Sequence, residues 1–130
     1  MRLYLFELGR VRTGEPILGY LAQTDGVQNV LIDTGYRPGT LGEEGIAESA
    51  FLEASPEQLV AHQLKRIGLL PEDINYLIVT HLDPDHAGFT SSFPGAEVVI
   101  QRRHLAAARV SDAPRFQLTR SAWVQSDCSF

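Results

Sequence analysis

The sequence predicts a mixed α/β layer domain, one β-sheet with flanking helices. Three observations predict it. The chain opens with β-prone runs joined by a two-residue turn, continues through a capped amphipathic helix, and then places a continuous apolar strand before a further strand and helix. Its 130 residues, 44% hydrophobic and 21% charged, suit a single globular domain over residues 1–130.

Residues 2–6 are β-prone and read as a first strand. Ile17 to Thr24 and Val27 to Ile32 are two further β-rich runs, and Asp25-Gly26 between them predicts a tight hairpin, with Gly26 taking a positive φ. These three strands make an antiparallel start to the sheet. Asp33-Thr34-Gly35 closes the third strand, and a polar, mobile loop is expected through Arg37-Pro38-Gly39 and Gly42 to Gly45.

Ser55-Pro56-Glu57-Gln58 is a helix start, with Ser as N-cap, Pro at the first helical position and Gln where a capping box needs it. Leu59, Val60, Leu64 and Ile67 follow at helical spacing, and Gly68 ends the helix. After the turn at Leu69-Leu70-Pro71, Ile74 to Thr80 is a nearly unbroken apolar run, the pattern of an internal strand buried on both faces. A loop is expected over 81–95, then a strand over Glu97 to Ile100 and an alanine-rich helix over Arg102 to Val110. Beyond Asp112, with Pro114 and Trp123, no element is assigned.

Charge and composition exclude several classes. The net charge is −5 and no basic cluster exceeds the pair Arg102-Arg103, so neither nucleic acid nor an anionic membrane is an expected partner. No apolar run reaches the roughly 20 residues that span a bilayer. The start, Met1 to Glu7, is too short and too soon acidic for a secretory signal, which places the expected location in the cytoplasm. The single cysteine, Cys128, forms no intrachain disulfide and reads as an incidental thiol.

The chemistry concentrates in Thr80-His81-Leu82-Asp83-Pro84-Asp85-His86-Ala87-Gly88, directly after the apolar strand. Sites in α/β sheets gather at such carboxyl ends. Pro84 pushes Asp83 into an extended conformation, so His81 and Asp83 share a face and can approach one metal ion. Asp85 and His86 are adjacent and converge on a second ion only if the backbone turns there, where Gly88 allows a close path. Imidazole with carboxylate suits zinc, iron(II), manganese or cobalt rather than calcium. Two ions roughly 3.5–4 Å apart can share a hydroxide and polarise a carbonyl, which is hydrolysis of an ester, thioester, lactone or amide. The competing reading is a polar turn after a strand.

This segment resembles the His-x-His-x-Asp-His signature of the metallo-β-lactamase superfamily. Leu31-Ile32-Asp33-Thr34-Gly35 resembles the superfamily's first motif. Gln63 to Gly68, Pro71 to Ile74 and Leu77 to His81, with Phe93-Pro94-Gly95-Ala96 and Gln101-Arg102-Arg103, are similar to its N-acyl homoserine lactonase-like branch. The likeness runs from about residue 17 to about residue 110. It implies the N-terminal half of an αββα sandwich with a mixed sheet, and a hydrolase that opens a lactone by attack of metal-bound hydroxide. His81 would then bind the first of two divalent ions (zinc, or manganese or iron), and Asp85 and His86 the second. Asp85 would also orient the nucleophilic water. Asp33 would support the ligands from behind, or serve only as a turn-forming residue before Thr34-Gly35.

Two departures from the pattern matter. Position 83 is Asp where the pattern has His, so Asp83 either ligates, shifting preference toward manganese or iron, or faces solvent and leaves one ion bound. Nothing after residue 110 resembles the second half of the family, which supplies further ligands. The remaining histidines do not replace them: His62 lies on the polar face of its helix, and His104 is expected at the surface. The chain therefore reads as a truncated half, missing its C-terminal partner or pairing with another copy, with the inner sheet face left as an apolar surface. A thioesterase or glyoxalase-II-like hydrolase and a non-catalytic metal-binding fragment are the competing functions on this scaffold.

Overall fold

The computed structural model describes residues 1–37 and 52–116. The loop expected over 38–45, Trp123 and Cys128 lie outside the described residues. Six strands form one sheet in the order β4-β1-β2-β3-β5-β6, with β1 Arg2–Val11, β2 Pro16–Gln23, β3 Asn29–Ile32, β4 Leu52–Glu53, β5 Tyr76–Val79 and β6 Glu97–Ile100. The β4-β1, β1-β2 and β2-β3 pairs are antiparallel, whereas β3-β5 and β5-β6 are parallel. The sheet is therefore mixed, with antiparallel strands at one side and βαβ-type crossovers at the other.

Strand β1 runs five residues past the end expected from sequence. Its register slips between Glu7, opposite Leu18, and Gly9, opposite Ile17, so Leu8 is the extra residue of a bulge and is buried. The polar residues Glu7 and Arg10 ended the β pattern locally, but pairing with β2 and β4 carries the strand on.

The β2–β3 hairpin keeps a turn centred on Asp25-Gly26, where the Val27 amide donates to the Thr24 carbonyl at 3.0 Å, but the connection is longer than two residues. It is closed by Thr24 and Gln28. The Thr24 amide donates to the Gln28 carbonyl, and the Gln28 amide to Thr24 Oγ1. Val27, not Gly26, takes the positive φ, at 63°.

The helix expected to start at Pro56 is broken. Pro56–Gln58 forms a single 3-10 turn, Leu59 adopts ψ 133°, and α1 proper covers Val60–Arg66. Gln58 Oε1 accepts the Ser55 amide as a capping box requires. The break comes from ties to β1: Gln58 Nε2 donates to Glu7 Oε1, and Gln63 Nε2 donates to the Glu7 carbonyl. At the other end Gly68, at φ 82°, donates to the Lys65 carbonyl and Leu69 to the Leu64 carbonyl, a Schellman close.

The span expected as a loop over 81–95 holds a short helix, α2 Pro84–Ala87, and a 3-10 turn at Thr90–Ser92. Strand β6 and helix α3, Arg102–Val110, have the bounds read from sequence. No helix among the described residues is long and apolar enough to cross a membrane.

One sheet face carries Phe6, Leu8, Ile17, Leu21, Leu31, Leu77, Val79 and Val98, which form one core with Val60 and Leu64 of α1 and Leu105 and Ala108 of α3. Each such aliphatic side chain, once buried, contributes roughly 1.5–3 kcal/mol. The opposite face is apolar too. Leu5, Tyr20, Ile32, Ile78 and Val99 stand directly opposite one another across five strands. Yet Leu5 is 61% and Val99 42% exposed. The apolar run at 74–80, expected to be buried on both faces, is buried at Leu77 and Val79 and only half-buried at Tyr76 and Ile78. Its second face has no covering layer among the described residues.

Candidate metal centre

Because β3 and β5 are parallel, their carboxyl ends reach the same sheet edge, which brings Asp33 beside Thr80. The Asp33 amide adds one further ladder bond, to the Ile78 carbonyl at 2.9 Å. Asp33 then turns the chain with φ 62°, a left-handed conformation that Asp tolerates better than most residues. Asp33 is 4% exposed, and its carboxylate accepts three hydrogen bonds. Thr80 N–H reaches Oδ1 at 2.8 Å, the Thr80 hydroxyl reaches Oδ2 at 2.7 Å, and His86 Nδ1 lies 2.9 Å from the same Oδ2. The Thr80 hydroxyl also lies 2.9 Å from His81 Nδ1.

Helix α2 supplies the turn on which convergence of Asp85 and His86 depends. Asp83 is its extended N-cap, at φ −71° and ψ 148°, and its carbonyl accepts the amides of His86 and Ala87. Thr34, fully buried, pins the helix from below. Its N–H donates to the His86 carbonyl at 2.8 Å, its hydroxyl donates to the same carbonyl at 3.1 Å, and its Oγ1 accepts the Phe89 amide at 3.0 Å. Gly88 makes the exit tight: a Cβ there would lie 2.4 Å from the Pro84 carbonyl oxygen and 3.1 Å from the Gly35 oxygen and the Arg37 nitrogen.

The result brings His81, Asp85 and His86 together, each offering one donor atom, all within 4.8 Å of one another. The two imidazole rings are 3.9 Å apart, and His86 Nε2 is 3.3 Å from Asp85 Oδ2. Both Nδ1 atoms are taken by the Asp33–Thr80 network, which leaves the Nε2 atoms as donors. Two nitrogens and a carboxylate oxygen fit a borderline divalent ion such as zinc.

Asp83 stands apart from this trio. Its Oδ2 is 3.9 Å from His81 Nε2, while Oδ1 is 3.5 Å from Arg115 Nε. The Arg115 guanidinium also lies over the Phe116 ring at 4.7 Å, and Phe116 meets His104 edge-on at 6.2 Å. His104 is half-buried and parallel to His81, with ring centroids 6.4 Å apart, rather than at the surface as the sequence suggested. His62 is exposed, as read from its helix face.

Electrostatics separate the two histidines. Burial acts against the charged form of His86, but hydrogen bonds and charge from Asp33 and Asp85 outweigh it and raise the pKa to about 9. Burial, followed by the neighbouring charge of His86, lowers the pKa of His81. For Asp85, burial raises the pKa, yet the hydrogen bond and charge of His86 hold the carboxyl below its usual range.

The model of the metallo-beta-lactamase superfamily matches residues 12–125. The chain belongs to the metallo-β-lactamase superfamily. An N-acyl homoserine lactonase from a Bacillus species is 33% identical over 103 residues, covering 75% of this chain and 41% of the relative. A structure of Bacillus thuringiensis AiiA with N-decanoyl-L-homoserine bound at its active site matches with TM-score 0.70 and 27% identity, over 85% of this chain and 52% of that one. An N-acyl homoserine lactone hydrolase with the product N-hexanoyl-L-homoserine at its catalytic metal centre matches with the same TM-score and identity. The chain spans about two fifths of the length of the curated relatives it matches.

In this metallo-β-lactamase domain four residues of the site's surroundings escaped the sequence reading. Thr34 and Thr80 sat inside the two motifs, but their polar contacts cross from one motif to the other and leave no periodic signal. Arg115 follows the last assigned element. His104 opens an alanine-rich helix, and only the parallel placement of β5 and β6 sets the start of α3 beside His81.

Proposed function

We propose that this chain carries the metal-holding part of a hydrolase that opens N-acyl homoserine lactone-like rings. The observation that carries the reading is the trio His81, Asp85 and His86, gathered at the strand tips of a chain 33% identical to an N-acyl homoserine lactonase. Zinc is the first choice of ion, with manganese or iron as alternatives, and two ions fill the complete site.

Bound divalent ions supply Lewis acidity and an acidified water. The chain's own residues hold and orient. His81 and His86 present Nε2, Asp33 and Thr80 hold the rings from behind, and ionised Asp85 accepts a hydrogen bond and so orients water. The net reaction adds water across the ring ester, breaks the acyl C–O bond, and leaves a carboxylate, a free hydroxyl and one proton released to solvent. The apolar sheet face through Leu5, Ile78 and Val99 calls for a second layer, carried on a longer chain or supplied by a second copy.

One observation favours a second reading, a metal-binding part without turnover: the Asp83 carboxylate is engaged by Arg115. In that case the chain holds one ion. Metal analysis after purification in zinc-supplemented buffer, with a panel of lactones and thioesters, separates the readings. Lactone opening above the rate of free zinc, lost with the metal in His86→Ala, supports the first. Turnover of thioesters alone points to a thioesterase or glyoxalase-II-like substrate. One retained ion and no turnover supports the second, and no retained metal ends both.

A further inference from the structure

The hydroxyl of Thr80 lies between the Asp33 carboxylate, 2.7 Å away, and Nδ1 of His81, 2.9 Å away. A hydroxyl has one proton to give and lone pairs with which to accept. Oδ2 of Asp33, as a carboxylate oxygen, only accepts, so the Thr80 proton goes to it. Toward His81 the hydroxyl is then an acceptor, and the ring nitrogen facing it must carry hydrogen. We infer that Thr80 is a positioning residue that holds His81 in the Nδ1–H tautomer and leaves the Nε2 lone pair for a divalent cation.

Asp33 thereby sets both rings: His86 by direct contact at 2.9 Å and His81 through one hydroxyl. The tautomer of a histidine follows the partner of its other nitrogen. Among the described residues no hydrogen bond holds Nε2 of His81, and Asp83 Oδ2, at 3.9 Å, is beyond hydrogen-bond distance. Burial, and after it the neighbouring His86 charge, lower the pKa of His81, which favours the neutral ring. A threonine directly before the first histidine is thus part of the ligand machinery and not only the end of a strand.

The inference takes its purpose from the metal-site reading, but its test needs no metal. Long-range 15N–1H correlation spectra of the metal-free protein at neutral pH read the tautomer of each ring. His81 is expected with hydrogen on Nδ1 in the wild type and in Thr80→Ser, and on Nε2 in Thr80→Val, which keeps the shape and loses the hydroxyl. Zinc affinity, by competition with a chromophoric chelator, is expected to fall about 10- to 100-fold in Thr80→Val and to recover in the serine variant. Hydrogen on Nε2 of His81 in the wild type overturns the inference, and so does an unchanged tautomer in folded Thr80→Val. The wild-type spectrum decides even if the valine variant fails to fold. Failure to bind zinc with the tautomer as stated removes the metal reading and leaves this one standing.

Discussion

Asp33 and His86 are 53 residues apart in the chain and 2.9 Å apart in space, carboxylate to Nδ1. That contact joins the two motifs of the sequence into one unit. Asp33 is buried in a left-handed backbone conformation at the end of β3, and such strain is characteristic of functional positions.

Replacing Asp33 with Ala removes the acceptor for His86, for the Thr80 amide and for the Thr80 hydroxyl together. Divalent-ion affinity is expected to drop at least about 10-fold. Asp33→Asn keeps an acceptor oxygen and should lose less. Equilibrium dialysis with metal analysis checks both, and equal affinity for Asp33→Ala and wild type would contradict the assigned role.

His86 gives the pH dependence. Its folded-state pKa of about 9 lies above the ordinary 6.5, so the folded metal-free protein binds this proton more tightly than the unfolded chain. The stability this contributes is fully present below pH 6.5 and is lost as pH rises through about 9. A cation must displace the same proton, so metal affinity should rise with pH and level off above about 9. Denaturant titrations and zinc binding across pH 6–10 measure both trends.

Arg115 holds one oxygen of Asp83, and both groups are partly exposed. Removing it in Arg115→Met leaves an unpaired carboxylate near His81 Nε2. Divalent affinity should rise, but by less than about fivefold, since a partly exposed ion pair is worth at most about 1 kcal/mol. Calorimetric titration with manganese reads the change. A fall in affinity would mean that Arg115 supports the site rather than competing for Asp83.

Gly88→Ala is expected to lower stability by about 1–3 kcal/mol, because its Cβ would collide with the Pro84 carbonyl oxygen at 2.4 Å. Relaxation of α2 would also move Asp85 and His86, so zinc affinity should fall in parallel. Chemical denaturation and zinc titration of the same variant test the link between the two.

Much of the fold was legible because it is written in local pattern. The bounds of β6 and α3 follow from apolar and alanine-rich runs, and the capping box at Ser55 from a four-residue signature. What escaped is non-local. Leu8 enters the core through a bulge defined by its partner strand, and α1 breaks at Leu59 because Gln58 and Gln63 bind Glu7. Asp25-Gly26 marked the centre of the β2–β3 turn, but the length of the loop depends on Val27 and on the Thr24 side chain that accepts the Gln28 amide. At the site, His81, Asp85 and His86 were visible as residue types at a strand end. Their convergence needed a turn of helix that Pro84 starts and Thr34 holds, a contact reaching across more than 50 residues.

Anomalous diffraction at the zinc edge, from crystals grown with zinc, tests the central claim most directly. A strong peak bonded to His81 Nε2, an Asp85 oxygen or His86 Nε2 is the predicted result. Zinc found only at other surface groups, with the three side chains unligated, would contradict it.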